Sequence, residues 1–308
     1  MKKLEISLGH DCNASCIFCH SALAKNKLKM PNNKIKSILL NYAKKEYKHI
    51  SFTGGEPTIR KDIFDLIVYA KEVGYKYIDL KTNLFMLSYP SFVKKLENSG
   101  LNSISFSVFG FGDESYSKIT GIVKSYSYLL KALKNLEYSN ISSSANILIS
   151  KYSYKDLSKI INLLLSYKIK SFSFWYISTN ELKKNKEYLL PSFSSFKKEL
   201  FSSIKILTSK NIKKIKILHI PPCLLKNYAK YYYNERNEDI TLIDLMSTFN
   251  IKNESFADLI KVDKCNLCNK NDICAGLRKE YYNKFGDSEI IPYFVNKINS
   301  ENDVNDKL

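Results

Sequence analysis

Six short apolar runs, at residues 4–8, 50–52, 77–81, 103–108, 144–149 and 172–177, alternate with longer stretches of helical spacing. No other feature restricts the fold as strongly, because strand followed by crossover helix is the pattern of a parallel sheet covered by helices. The first helical stretch, after Met30-Pro31-Asn32, carries Ile35, Ile38, Leu39 and Tyr42 on one face. The second, about 63–73, stops at Gly74, a usual residue just past a helix end. Further helices are expected up to about Asn98, at 126–136 and at 157–165. Six βα units are too few to close an eight-stranded barrel. The expected class is therefore α/β, a partial (β/α)6 TIM-like barrel open on one side, with its chemistry at the C-terminal ends of the strands.

At 308 residues the chain can bury one large core and still carry an appendage. Its 44% hydrophobic and 25% charged residues are those of a soluble globular protein. No apolar run reaches the roughly 20 residues of a membrane span, and Met1-Lys2-Lys3 runs directly into the first strand. A cytoplasmic protein is expected, and in a reducing compartment seven cysteines point to metal or catalysis rather than disulfides. The formal charge of +18 invites nucleic acid. Yet only Arg60, Arg236 and Arg278 among the 48 basic residues are arginines, and the lysines are spread along the whole chain. Without a basic stripe or the bidentate readers of phosphate and bases, nucleic-acid binding is not expected.

The chemistry begins directly after the first strand, where Cys12, Cys16 and Cys19 stand at spacing CxxxCxxC. Three soft thiolates in one tight loop suit an iron-sulfur cluster with one open corner, or a zinc ion completed by His10 or His20. The spacing alone leaves both open. The second strand ends in Thr53-Gly54-Gly55-Glu56-Pro57, where two glycines allow close approach of a ligand and the carboxylate can hold an ammonium group.

Together the thiol loop and the strand-GGEP turn resemble the radical SAM superfamily. The resemblance implies that Cys12, Cys16 and Cys19 ligate a [4Fe-4S] cluster whose open iron binds S-adenosylmethionine (SAM), and that reduction splits SAM to methionine and a 5'-deoxyadenosyl radical. It implies that Phe18 packs beside the adenine and that Gly54, Gly55, Glu56 and Pro57 meet the methionine amino end, so a side chain at Gly54 or Gly55 should fill that space. Thr82 and Asn83, Ser107 and Asn146 fall where polar groups touch the SAM carboxylate and ribose. The sequence departs from many peptide-modifying relatives at Phe109, where those have an acidic residue. An electron donor such as flavodoxin or ferredoxin is implied as a partner.

Beyond the barrel a lysine-rich helix at 193–209 and a short strand at 215–219 lead to Cys223, and then to Cys265, Cys268 and Cys274. Four thiolates form one coordination set, which suits a zinc ribbon-like site. The segment also resembles the C-terminal SPASM and shorter twitch segments of radical SAM enzymes, which implies a second, auxiliary [4Fe-4S] cluster. In that reading Tyr281, Tyr282 and Gly286 belong to a helix and turn packing the cluster on the barrel. The expected domains are a barrel at 1–211, a twitch-like domain at 212–298 and a polar tail at 299–308. His219 stands near Cys223 and is a candidate neighbour of that cluster, while His49 only joins a helix to a strand.

The function implied is hydrogen abstraction from a substrate, foremost a ribosomally made peptide undergoing crosslinking or side-chain modification. Leader recognition would then fall to a separate protein or the barrel mouth. A nucleotide or cofactor precursor, as in molybdenum-cofactor synthesis, is the alternative, and a zinc-containing nucleic-acid binder is a third.

Overall fold

The computed structural model describes residues 2–19, 21, 27–179, 186–253 and 258–294. His20 and the tail 299–308 lie outside these residues. The barrel runs β1 (Lys3–Ser7), α1 (Asn32–Lys44), β2 (His49–Thr53), α2 (Ile63–Glu72), β3 (Tyr77–Thr82), α3 (Pro90–Ser99), β4 (Ser103–Val108), α4 (Asp113–Thr120), α5 (Ser125–Glu137), β5 (Ser142–Ile149), α6 (Leu157–Ser166), β6 (Ser171–Tyr176), α7 (Phe193–Ser209) and β7 (Lys214–Leu218). The helices form by their inner stripes. In α2, Ile63, Leu66, Ile67 and Ala70 are buried, and in α6 Leu157, Ile160, Ile161 and Leu164, both at helical spacing. None of α1 to α7 has a side-chain cap hydrogen bond. Burial of such side chains, roughly 1.5–3 kcal/mol each, therefore holds them in place.

Strands β1 to β7 are parallel and lie side by side in sequence order. Their outward residues, such as Ile104, Phe106 and Val108 or Phe172 and Phe174, are buried under the helices. The inward residues are small and polar: Ser103, Ser105 and Ser107 on β4 and Ser171 and Ser173 on β6 are half-buried. A closed barrel fills its interior with branched apolar side chains. Here that face carries serines and charged side chains such as Glu5, Asp79 and Lys81 instead.

After β7 come α8 (Pro222–Leu225), β8 (Ile240–Ile243), β9 (Thr248–Asn250), β10 (Leu259–Ile260), β11 (Leu277–Arg278) and α9 (Lys279–Phe285). Rather than standing apart, the chain beyond residue 212 feeds β7, β8 and β9 into the barrel's own sheet. Its order is β7-β6-β5-β4-β3-β2-β1-β8-β9, with β8 parallel to β1 and β9 antiparallel to β8. The open side is spanned by residues 232–240. Tyr233 N donates to Ile217 O (2.9 Å) on β7, and Lys3 N on β1 donates to Asp239 O (2.9 Å).

Glu238 fastens that span, pairing with Lys3 and, at 3.6 Å, with Lys216. Burial alone would push its carboxyl up, but the Lys3 and Tyr233 hydrogen bonds hold it down at about 2. Burial lowers Lys216, so that lysine is the weaker partner. A depressed carboxyl stabilises the fold above its unfolded pKa, and the gain is lost as pH falls through the folded value. Glu238→Gln should therefore cost about 1–2 kcal/mol in urea unfolding at pH 7, with the gap from wild type closing between about pH 4.3 and pH 2.

Candidate active site

The thiol loop hangs between β1 and α1 and is pinned by backbone hydrogen bonds to three separate places. Leu8 N donates to Thr53 O (2.8 Å) at the end of β2, His10 N to Leu28 O (2.9 Å), and Ser15 N and Ile17 N to Thr120 O (2.8 Å) and Ile119 O (3.0 Å) at the end of α4. Cys19 N donates to Cys16 O (3.0 Å), and Ala14 N reaches Cys12 Sγ (3.4 Å). Burial pushes the Cys16 thiol far above the ordinary range, and neighbouring Cys19 and Cys12 add to the shift. Cys12 is raised as well, chiefly by burial, with Glu56 and Cys19 adding to the effect. Thiolates crowded this way need a positive centre among them.

The GGEP turn supports this loop directly. Gly55 N donates to Gly9 O (2.7 Å) and Glu56 N to Asp11 O (2.7 Å). A Cβ at Gly55 would collide with the carbonyl oxygen of Asp11, and one at Gly54, whose φ is +118°, would lie 2.7 Å from Gly9 O. The glycines are thus required by the thiol loop itself.

Glu56 is tied into the same turn. It is 3% exposed. Its Oε1 accepts from Thr58 N (3.1 Å), Thr58 Oγ1 (2.6 Å) and Thr82 Oγ1 (2.7 Å), and its Oε2 from Asn83 N (2.7 Å). A carboxylate accepting from these four donors holds the ends of β2 and β3 together. Burial raises its pKa, with these donors opposing. Pro57 follows within the same buried turn.

At the end of β3, Thr82 is taken by Glu56, while Asn83 reaches the loop, its Nδ2 donating to Asn13 Oδ1 (2.8 Å) and lying 3.9 Å from Cys12 Sγ. Ser107 and Asn146 are register partners on β4 and β5, both half-buried on the lumen face. Phe18 packs against Phe109, ring centroids 5.7 Å apart. Phe109, which the resemblance marks as a departure from many peptide-modifying relatives, thus backs the aromatic side chain of the loop.

Cys223, Cys265, Cys268 and Cys274 line one pocket in the C-terminal segment. Burial, with the other three thiols adding to it, pushes Cys223 up to about 12. Among the described residues no three His, Cys, Asp or Glu side chains form a group able to hold a single metal ion. In number and softness both thiol sets suit iron-sulfur clusters. Tyr281 is buried against Tyr176 of β6 (5.8 Å), whereas Tyr282 is 40% exposed, its carbonyl accepting from Gly286 N (2.8 Å). Gly286 ends α9 with φ +68°.

His219 does not join the thiols. It stacks on Trp175 (5.3 Å), contacts Arg278 and lies 3.6 Å from Glu235. This group escapes sequence reasoning because its members come from β6, the end of β7, the 232–240 span and β11. The alternating serines of β4 and β6 were the legible sign of a polar lumen.

Fold and site define a partial parallel barrel with a thiol loop at its C-terminal mouth. Residues 6–164 match the Radical SAM superfamily, and the chain belongs to that superfamily. A probable GTP 3',8-cyclase of Saccharolobus islandicus is 27% identical over 165 residues, covering 53% of each chain. One from Sulfurisphaera tokodaii is 28% identical over 168 residues, covering 54% of this chain and 52% of its own length. The chain thus spans about half the length of these relatives. Among solved structures, Streptococcus suis SuiB bound to S-adenosylmethionine superposes with a TM-score of 0.65 at 19% identity, over 95% of this chain and 75% of SuiB. SuiB has also been solved with its precursor peptide SuiA. Among the described residues no helix is long and apolar enough to cross a membrane.

Proposed function

We propose that this radical SAM enzyme acts on a ribosomally made peptide. The reading is carried by the charge of the lumen. Lys81 is paired with Glu5 at 2.7 Å, and Lys3 and Lys216 with Glu238. Arg60 is taken by Asp62 and by the Leu8 and Met30 carbonyls, and Arg278 by Asp258. A triphosphate needs several cations turned toward it. The polar, serine-lined interior suits the amides of a peptide better. The likeness to SuiB over nearly the whole chain supports a barrel shaped for the same class of substrate.

Cys12, Cys16 and Cys19 would hold a four-iron cluster, which when bound supplies the electron that splits SAM to methionine and a 5'-deoxyadenosyl radical. The chain's own part is to position and to exclude. Gly54 and Gly55 keep the loop seated, Glu56 fixes Thr82 and Asn83 beside Cys12, and Ser107 and Asn146 would meet the ribose. Phe18, backed by Phe109, would pack beside the adenine. Cys223, Cys265, Cys268 and Cys274 would hold the auxiliary cluster of a twitch-like segment. The setting is the cytoplasm, with flavodoxin or ferredoxin as electron donor.

The cyclase reading is favoured by the sequence match over the barrel half, and one experiment separates the two. Anaerobically reconstituted protein is given SAM, reductant, and either GTP or precursor peptides encoded beside it. Deoxyadenosine with a mass change on a peptide is the expected result, and conversion of GTP overturns it.

Cys268→Ala tests the second thiol set. Iron should fall from about eight to about four per chain, while deoxyadenosine release without substrate persists and peptide conversion fails. Release of zinc with iron unchanged would make the set a structural zinc site.

A further inference from the structure

The pocket that Cys223, Cys265, Cys268 and Cys274 share is also lined by Lys261 and Lys270, and by no aspartate or glutamate. Lys261 follows β10, and its Nζ donates to Asn271 O (2.6 Å), a carbonyl of the turn between Cys268 and Cys274. Lys270 Nζ lies 4.6 Å from the centre of the Tyr293 ring, and Tyr293 lines the same pocket. Both ammonium groups are therefore fixed to the wall of the thiol site. Burial raises the Cys274 thiol, with the Gly276 amide and the Lys261 charge opposing it.

The described carboxylates of this segment leave the two lysines their charge. Asp287 is paired with Lys264 (3.2 Å) and Asp258 with Arg278, while Asp263 and Asp272 are exposed and outside the pocket wall. The first thiol set has the opposite neighbour. Burial raises Cys12 and Cys16, and the Glu56 carboxylate adds to it. The four donors to Glu56 are neutral groups of Thr58, Thr82 and Asn83. The cations flanking that loop are paired, Lys29 with Asp11 (2.7 Å) and Arg60 with Asp62 (2.8 Å).

Reduction adds one negative charge to an iron-sulfur cluster, so a cation beside it raises the potential and further thiolates lower it. The second set has one thiolate more than the first and would be the harder to reduce for that reason. We propose that Lys261 and Lys270 are tuning residues that offset this fourth thiolate, raising the reduction potential of the cluster held by the second set. The assignment rests on the auxiliary-cluster reading above. It gives the C-terminal segment the task of keeping that cluster able to accept an electron, and it leaves the first set as an internal reference that the two lysines do not touch.

The test is a redox titration of the reconstituted protein followed by electron paramagnetic resonance, with Cys268→Ala protein identifying the signal of the first set. Lys261→Gln/Lys270→Gln should lower the midpoint of the second set by about 59 mV, a tenfold change for one electron, and leave the first where it was. Lys261→Arg/Lys270→Arg, which keeps both charges, should restore it. If the glutamine pair loses iron, the single variants Lys261→Gln and Lys270→Gln decide, each with a shift of about threefold in the same direction. An unmoved midpoint at full iron, an arginine pair shifted as far as the glutamine pair, or equal shifts in both sets overturns the assignment. Zinc at the second set with one iron-sulfur signal would sink the auxiliary-cluster reading and the tuning with it. Two signals without the shift would sink the tuning alone.

Discussion

Cys16→Ala is expected to cut the iron of reconstituted protein from about eight to about four per chain and to abolish SAM cleavage. Burial, with Cys19 and Cys12 adding to it, raises the Cys16 thiol far above the ordinary range, so its thiolate depends on a positive centre beside it. The loop itself should survive, because it is held by backbone bonds to Thr53, Leu28, Ile119 and Thr120 rather than by thiols. Iron analysis with deoxyadenosine assay checks this. Cys268→Ala should lose as much iron yet keep the cleavage, so the pair of variants assigns each thiol set its own task. Wild-type deoxyadenosine release from reduced Cys16→Ala would remove these thiols from the reaction.

Gly55→Val should have a comparable effect without touching a ligand. The new Cβ meets Asp11 O, and Asp11 is next to Cys12, so the strand-to-thiol connection must move. The bonds from Gly55 N to Gly9 O and from Glu56 N to Asp11 O lie in its path. About half the iron should be lost, and with it SAM binding. Full iron with weakened SAM affinity would instead mean that the glycine serves the methionine end alone.

The close approach of Gly55 to Asp11 shows where the sequence stops being legible. Strands β1 to β6 and their helices were readable because each repeats an apolar period over its own few residues, and the thiol motifs because spacing in the chain is spacing in the loop. α4 was not, with only Tyr116 and Ile119 as buried hydrophobic residues over its length. β8 was missed for a different reason. It has four residues, and its partner β1 lies at the other end of the chain. No local pattern announces such a pairing. Glu56 follows two glycines, which suggests a ligand contact. Only the fold shows Thr58, Thr82 and Asn83 closing around it. The carboxylates around Arg278 are likewise gathered by topology, from residues 235, 258 and 280.

The most direct test of the account is 5'-deoxyadenosine release by the reduced, reconstituted protein given SAM alone, beside single alanine variants of Cys12, Cys16 and Cys19. The account predicts release by the wild type and none by any of the three. Wild-type protein with its full iron that leaves SAM intact, or a variant that cleaves it at the wild-type rate, would contradict it.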